Sequence, residues 1–510
     1  MRAVIIGAGV NGLTAAFYLA RAKMHPLVLE ARGTVGGAAE LAHTIGPMHP
    51  AIVRDMQLAK RVDFIHPETR LIALQPDGPA LAFYTSIERT ADAIRRHSAR
   101  DADRYAAFCA TLRRIGAFTA RLAEMMPPSI DATTPAELWS LLKAGRHFRA
   151  LGKTDAYRLL RWGPMAVADF VGEWFETDLL RAAIAARGIY GMSQGPWSAG
   201  TTAPLLLGAA HDAEPGGVTI LARGGSAALM RAMRDAASEA GAEIRVDSPV
   251  TRILVRDNKV DAVALQDGSE VPASAVMSSA DPRRTFLSLM DPLDLDPTFL
   301  ARARNYRISG SVAKVNLVID ARPSFFGVEN AGDLDARIHI GPTIDYLERA
   351  FDASKYGEIS SGPYLEAGIQ TFKGEAGAKD RLLMSVHVQY APYRLRDSQD
   401  WDRARDALLE RVLTTLERHA PDIRSRILEP RVFTPLDLER SYGLSGGHLF
   451  HGEQSLDQLF LARPFLGCAR YRGPVSGLYL CGAGSHPGGS VAGGPGRNAA
   501  REALKDLGRV

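Results

Sequence analysis

The stretch Ala3-Val4-Ile5-Ile6-Gly7-Ala8-Gly9-Val10-Asn11-Gly12, followed by Leu13–Ala22 and then Pro26-Leu27-Val28-Leu29-Glu30, decides the fold. Four consecutive apolar residues read as a strand buried on both faces, as in a parallel sheet. The run after the glycines, rich in Ala, Leu and aromatics, reads as a packed helix. Gly7 permits a tight turn, Gly9 lets a pyrophosphate reach the backbone, and Gly12 lets helix and strand close on one another. Free amides and the helix dipole then favour phosphate. Glu30 ends a second strand 18 residues beyond Gly12. There its carboxylate accepts hydrogen bonds from a ribose 2′-hydroxyl and repels a 2′-phosphate. Strand, glycines, helix, strand and acid in register are a much stronger sign than glycines alone.

The glycine pattern continues in Ala31-Arg32-Gly33-Thr34-Val35-Gly36-Gly37-Ala38, which extends the expected contact surface past the first βαβ unit. A second strand–glycine–helix junction lies near the other end. Gly477–Gly484 reads as a strand running into glycines. It is followed by Ser485-His486-Pro487-Gly488-Gly489-Ser490-Val491 and a small-residue helix through Ala499-Ala500-Arg501. An ordinary strand–helix turn would need fewer glycines, so a ligand is expected here as well, held by Gly482, His486, Gly489, Ser490 and Val491.

The 510 residues are 46% apolar and 23% charged, the balance of a folded chain and not of a disordered or collagen-like one. Lys+Arg 61 against Asp+Glu 57 leaves +4, too little for a protein that grips nucleic acid by bulk charge. Cys109, Cys468 and Cys481 form neither a CxxC pair nor a disulfide framework, which suits a reducing compartment. The apolar N-terminus is interrupted by Gly7, Gly9, Gly12 and Asn11, and no small-residue cleavage site follows, so a secretory signal is not expected. No apolar run is long enough to span a bilayer. The expectation is a cytoplasmic, soluble or peripheral protein.

Residues 101–191 have a helical texture broken at Pro127-Pro128 and Gly163-Pro164. Strand patterns follow at Val250–Val255 and Val260–Leu265, then at Val276–Ala280, Ala313–Ile319 and Leu382–Val388, with a helix from Trp401 to His419. The reading is α/β: a discontinuous nucleotide-binding domain over 1–85, 215–305 and 471–510, and a mixed-sheet and helical substrate domain over 86–214 and 306–470.

Val4–Gly12, Glu30–Gly37, Gly224-Gly225 with Gly241–Gly268, Gly446–Glu453, Asp457–Phe460, Arg463-Pro464 and Gly477–Ala500 together resemble the phytoene-desaturase-like FAD-dependent oxidoreductases. These are two-dinucleotide-binding-domain flavoproteins within the fold shared with amine oxidases. The likeness is closer to the branch labelled pyridine nucleotide–disulfide oxidoreductase domain-containing, although this chain lacks a redox-active cysteine pair. The resemblance implies FAD held without a covalent bond between the two ends of the chain. Gly7, Gly9, Val10, Asn11, Gly12, Glu30, Ala31, Arg32, Gly36, Gly37 and Ala38 would serve one end, with Val250 placing its backbone near the adenine. It also implies removal of two hydrogens from a hydrophobic substrate of polyene or lipid-like type, hydride passing to flavin N5, with quinone or oxygen as electron acceptor. An amine oxidase, a redox-neutral isomerase and a non-catalytic flavin-binding protein are the alternatives.

Three residues are candidate acid–base groups: His448, His451 and Glu453. In a strand the two imidazoles would point to opposite faces; in a turn they would converge. A metal reading of His-x-x-His with Glu453 lacks the helical context, so no metal is expected. Lys314 sits in the apolar strand Val312–Asn316, where exposure on an edge strand is the ordinary explanation and a buried base the alternative. No nucleophile elbow and no Lys-linked phosphate loop is present. Between Lys143 and Arg161, six cations face the single acid Asp155, interleaved with Trp139, Leu142, Phe148, Leu151, Leu160 and Trp162. Segment 139–162 is expected either to be a solvated basic helix or to rest on an anionic membrane.

Overall fold

Residues Ala3–Ile6 form strand β1, every side chain buried, and Gly7 at φ +92° turns the chain into helix α1 (Val10–Arg21). The structure, a computed structural model, describes residues 2–128, 134–372, 381–489 and 492–508. Along the chain come β2 (Leu27–Leu29), β3 (Thr69–Leu74) and β4 (Leu81–Tyr84). Helices α2 (Ala99–Glu124), α3 (Pro135–Ala150), α4 (Gly152–Trp162) and α5 (Asp178–Ile189) follow. Next are β5 (Glu243–Arg245), β6 (Ala275–Ser278), β7 (Val312–Ile319), β8 (Arg337–Ile340), β9 (Tyr364–Phe372) and β10 (Arg381–Gln389). Helix α6 (Trp401–Glu417), β11 (Ile427–Phe433), β12 (Leu478–Leu480) and α7 (Gly494–Asp506) complete the set used below.

The first sheet has the order β12-β6-β1-β2-β5 with every pair parallel. β1 lies at its centre, Ile5 in register with Val28 on one side and Met277 on the other. A parallel sheet buried on both faces needs continuous apolar strands, and β1, β2, β6 and β12 are buried throughout. Helix α7 packs against α1 backbone to backbone. A Cβ on Gly496 would fall 2.1 Å from the carbonyl oxygen of Asn11, so only glycine permits the contact. The two ends of the chain thus share one sheet and one helix layer. The strand patterns at 250–255 and 260–265 form a hairpin with a third short strand, its turn at Asp257 and Asn258 in the left-handed region.

The second sheet has seven strands in the order β11-β7-β10-β9-β8-β3-β4, antiparallel except for β8 beside β3. β3 and β4, which a boundary at residue 85 leaves with the nucleotide-binding segments, are therefore strands of this sheet. One face is apolar: Ala313, Val315, Leu317, Leu365, Ala367, Val386 and Val388 pack with Trp401, Leu408, Val412 and Leu416 of α6. Each Val and Leu among them contributes roughly 1.5–3 kcal/mol on burial. The opposite face carries Lys314, His339, Glu366, Ser385, His387 and Gln389, all also buried. Polar groups withdrawn from water cost free energy unless paired, so a buried polar sheet face is not explained by stability. No helix of the described residues is long and apolar enough to cross a membrane.

Candidate functional site

The dinucleotide cradle is built at the carboxyl ends of β1 and β2. Gly9 precedes α1, and no side chain caps the helix among the described residues. A Cβ on Gly9 would meet nothing nearer than the Gly36 carbonyl oxygen at 3.9 Å, so the backbone is open to close approach there. Gly36 (φ +128°) and Gly37 (φ +56°) bring the second loop alongside, with Gly36 N donating to Ala8 O at 2.9 Å. Ala38 lies in the short turn of helix that begins at Gly37. Glu30 is buried and fixed: Ala8 N donates to Oε2 at 2.7 Å and Arg32 N to Oε1 at 3.0 Å. Each carboxylate oxygen keeps a lone pair for a ribose hydroxyl. Ala31 lies between these contacts. Arg32 donates from Nη2 to Glu40 at 2.9 Å and lies over the Tyr442 ring, while its Nη1 is buried with no partner. An open glycine turn, an anchored carboxylate and an orphaned guanidinium nitrogen fit an adenine dinucleotide. Val10 and Gly12 face inward on α1, and Asn11 Oδ1 accepts from Gly496 N at 3.3 Å. Val250 packs with Ile6 and Leu29 in the core beneath this turn.

At the second junction, a Cβ on Gly482 would sit 2.5 Å from Ser279 O, and one on Gly489 would sit 2.0 Å from Gln454 Nε2. His486 is buried, its Nε2 2.9 Å from Leu122 O at the end of α2, and burial pushes its pKa down to about 4. Ser490 and Val491 lie outside the described residues.

A further group of buried polar residues lies on the polar face of the seven-stranded sheet. Lys314, His387, Glu366 and His339 form one row across β7, β10, β9 and β8, each in register with the next. His43, from the nucleotide-binding segments, closes over the row. Its Nε2 is 2.9 Å from Glu366 Oε1 and its Nδ1 3.4 Å from Lys314 Nζ. Gly368 makes room for it, a Cβ there lying 3.4 Å from that of His43. Arg337 donates to Glu366 Oε2 at 2.9 Å. Burial pushes the Lys314 amine down to about 7. Burial also lowers His43 to about 4, His339 to about 4 and His387 to about 3, so all three imidazoles are neutral at physiological pH. Burial opposes the charge on Glu366, but Arg337 and His43 overrule it and hold the carboxyl well below the usual carboxylate range. The edge-strand expectation for Lys314 is corrected here. β7 lies between β11 and β10, and the lysine is enclosed because the face it belongs to is covered.

His448, His451 and Glu453 form a second buried cluster. The chain turns, with His451 N donating to His448 O at 3.1 Å and His451 in the left-handed region. His448 Nε2 approaches Glu453 Oε1 to 3.4 Å, and that oxygen also accepts from Ser193 N at 2.9 Å. Burial lowers His451 to about 4. His448 Nε2, His451 Nδ1 and Glu453 Oε2 lack hydrogen-bond partners. Arg463, fully buried, straps this loop to the C-terminal glycine loop, donating to Glu453 O at 2.9 Å, Phe450 O at 3.0 Å and Ala483 O at 2.8 Å. The residues after α5 join the two clusters. Tyr190 stacks on His387 at 4.1 Å, Gly191 N donates to Gln389 Oε1 at 2.9 Å, and Ser193 reaches Glu453.

His43, Arg337, His339, Glu366 and His387 escape a reading of sequence alone, because each is a single polar residue in a stretch whose register with its neighbours is not legible. The one signal is Lys314, Glu366 and His387 standing inside otherwise apolar stretches of β7, β9 and β10, where alternation would place them on a covered face.

The family model described as flavin containing amine oxidoreductase matches residues 178–504, and the NAD(P)-binding Rossmann-like domain matches residues 5–52. The chain is 31% identical to pyridine nucleotide-disulfide oxidoreductase domain-containing protein 2 of Rattus norvegicus, over 99% of this chain and 93% of that protein. It is 25% identical to the phytoene desaturase (lycopene-forming) of Pseudescherichia vulneris, over 96% of each. A solved putrescine oxidase variant shares the fold at 16% identity, with a TM-score of 0.57 over 100% of this chain and 99% of that one.

Proposed function

The chain belongs to the flavin-containing amine oxidoreductases and binds FAD; from that premise we propose that it is a dehydrogenase that removes two hydrogens from an apolar, polyene or lipid-like substrate. The observation that carries this reading is the buried row with Lys314 Nζ beside His43 Nδ1. Bound FAD supplies a two-electron acceptor. The protein supplies an enclosed polar face and an amine that is substantially neutral near pH 7, able to take a proton at Nζ and share it with His43 Nδ1. Glu366 fixes the His43 ring through Nε2, and Arg337 keeps Glu366 ionised.

The same face argues against a cationic amine as substrate. Its one buried carboxylate among the described residues, Glu366, already has its charge matched by Arg337, so an ammonium group entering there would find no free counter-charge. The phytoene desaturase relative, by its name, acts on phytoene, which accords with an apolar substrate. Oxygen or a quinone is the electron acceptor in this reading. A second reading of the proton acceptor rests on the orphaned His448 Nε2 and Glu453 Oε2, with His451 beside them.

Anaerobic mixing of the FAD-loaded protein with polyenes, unsaturated acyl compounds and primary amines tests the proposal. Loss of oxidised-flavin absorbance with the apolar compounds is expected. Bleaching by amines alone overturns it. Lys314→Met and His448→Gln, compared in that assay, decide which cluster accepts the proton.

A further inference from the structure

Six of the fourteen large hydrophobic side chains that are exposed among the described residues fall in 23 residues: Leu138, Trp139, Leu141, Leu142, Tyr157 and Leu160. Scattered apolar residues on a surface need no explanation, but a concentration of this kind does. On α3, Leu138, Leu142, Arg146 and Arg149 follow one another at three- and four-residue spacing, with Trp139 and Lys143 alongside, so they share one face. On α4, Lys153, Tyr157 and Leu160 share another. Trp139 is 61% exposed, Leu142 66%, Tyr157 69% and Leu160 65%. Among the described residues Lys143, Arg146, Arg149 and Lys153 have no ion-pair partner.

The opposite side of the hairpin is firmly seated. Phe148 meets Phe118 of α2 edge to face at 5.8 Å, His147 Nδ1 lies 2.6 Å from Arg121, and Trp162 packs on Phe170 at 5.0 Å. Asp155, buried, takes Arg114 at 2.5 Å and Arg158 at 2.9 Å. The acid of this segment is thus consumed on the inner side, and the outer side is left both apolar and cationic.

We infer that the outer face of the α3–α4 hairpin docks on an anionic lipid surface, lying in the interface without crossing it. The occupant follows from the mixture of side chains. Leu138, Trp139, Leu142, Tyr157 and Leu160 would enter the boundary between headgroups and acyl chains, while the four unpaired cations meet lipid phosphates. A second copy of this chain would bury the same apolar residues but set four cations against four cations, which is unfavourable across a two-fold contact. The inference does not depend on which substrate the enzyme oxidises.

The test uses the FAD-loaded full chain with phosphatidylcholine vesicles, with and without phosphatidylglycerol, at low and high salt. Binding that requires phosphatidylglycerol and weakens with salt is expected. Lys143→Glu with Arg146→Glu should lower the partition coefficient by at least about tenfold. Trp139→Asp with Leu142→Asp should abolish binding even at low salt, with bound-flavin absorbance unchanged as the check on folding. Brominated lipid should quench the fluorescence that Trp139→Phe removes. No binding to phosphatidylglycerol vesicles at low salt overturns the inference. So does a dimer in sizing chromatography that Trp139→Asp with Leu142→Asp converts to monomer, since the face is then a contact between copies.

Discussion

Lys314 Nζ lies 3.4 Å from Nδ1 of His43, joining an inner strand of the seven-stranded sheet to a loop of the nucleotide-binding segments. Both groups are buried, and neither is obliged to carry a charge at neutral pH. This pairing buries an amine that sheds its proton as pH rises through about 7.

The rate of substrate-dependent flavin reduction should rise with pH through an inflection near 7. Lys314 is protonated and idle below that value and free to accept a proton above it. Lys314→Met should lower the rate by roughly 10²–10⁴-fold and remove the inflection. Stopped-flow absorbance from pH 5.5 to 9 measures both. An inflection that persists in the variant would transfer the role to another group.

Glu366→Gln should move the same inflection to lower pH. The Glu366 charge raises the Lys314 pKa against the effect of burial, so its loss favours the neutral amine. The variant should also be less stable by about 3–5 kcal/mol, because Arg337 is left as a buried cation without its counter-charge. Urea unfolding and the pH profile report the two effects separately.

Acid should destabilise the protein well before carboxylates titrate. His43, His339 and His387 have folded pKa values of about 4, 4 and 3, below the ordinary value of 6.5. Between about pH 6.5 and 4 the unfolded chain therefore binds protons that the folded chain refuses, and stability falls as pH falls. Each imidazole adds a slope of up to about 1.4 kcal/mol per pH unit. His387→Gln should flatten the dependence of Tm on pH over that window; an unchanged slope would show that His387 is not held neutral.

Glu30→Ala should weaken FAD retention by roughly ten- to a hundredfold, the worth of hydrogen bonds to a charged acceptor. The variant also strands the amides of Ala8 and Arg32, so Glu30→Gln, which keeps one acceptor, should fall between it and the parent. Equilibrium dialysis against FAD distinguishes the three, and equal affinities would remove Glu30 from the ribose site.

Gly496→Ala should cost about 3 kcal/mol or more and release flavin, since its methyl would meet the Asn11 carbonyl oxygen at 2.1 Å. Gly332→Ala, with nothing within 4 Å of the new carbon, is the matched control and should leave Tm near that of the parent.

The nucleotide-binding half was legible in the sequence because its signals are local. Val4–Gly12 and Glu30 carry turn, helix and acid within one βαβ unit, and Gly477–Gly484 repeats the pattern near the other end. The buried polar face was not legible, because it is a product of register. Lys314, His387, Glu366 and His339 are separated by up to 73 positions in sequence and meet only when β7 to β10 align. Reading Lys314 alone, the ordinary expectation of an exposed edge is reasonable; the neighbours on both sides of β7 reverse it. The hairpin at 139–162 was visible as a charge excess, but which side the acid faced had to come from the fold.

The position of β12 has a consequence for biosynthesis. β1 leaves the ribosome some 470 residues before Leu478–Leu480 is made, yet the sheet edge beside β6 and the layer formed by α7 on α1 exist only when that last stretch is free. A chain cut before Leu478 would lack both β12 and α7, leaving β6 without its parallel neighbour and α1 without the helix that covers Asn11.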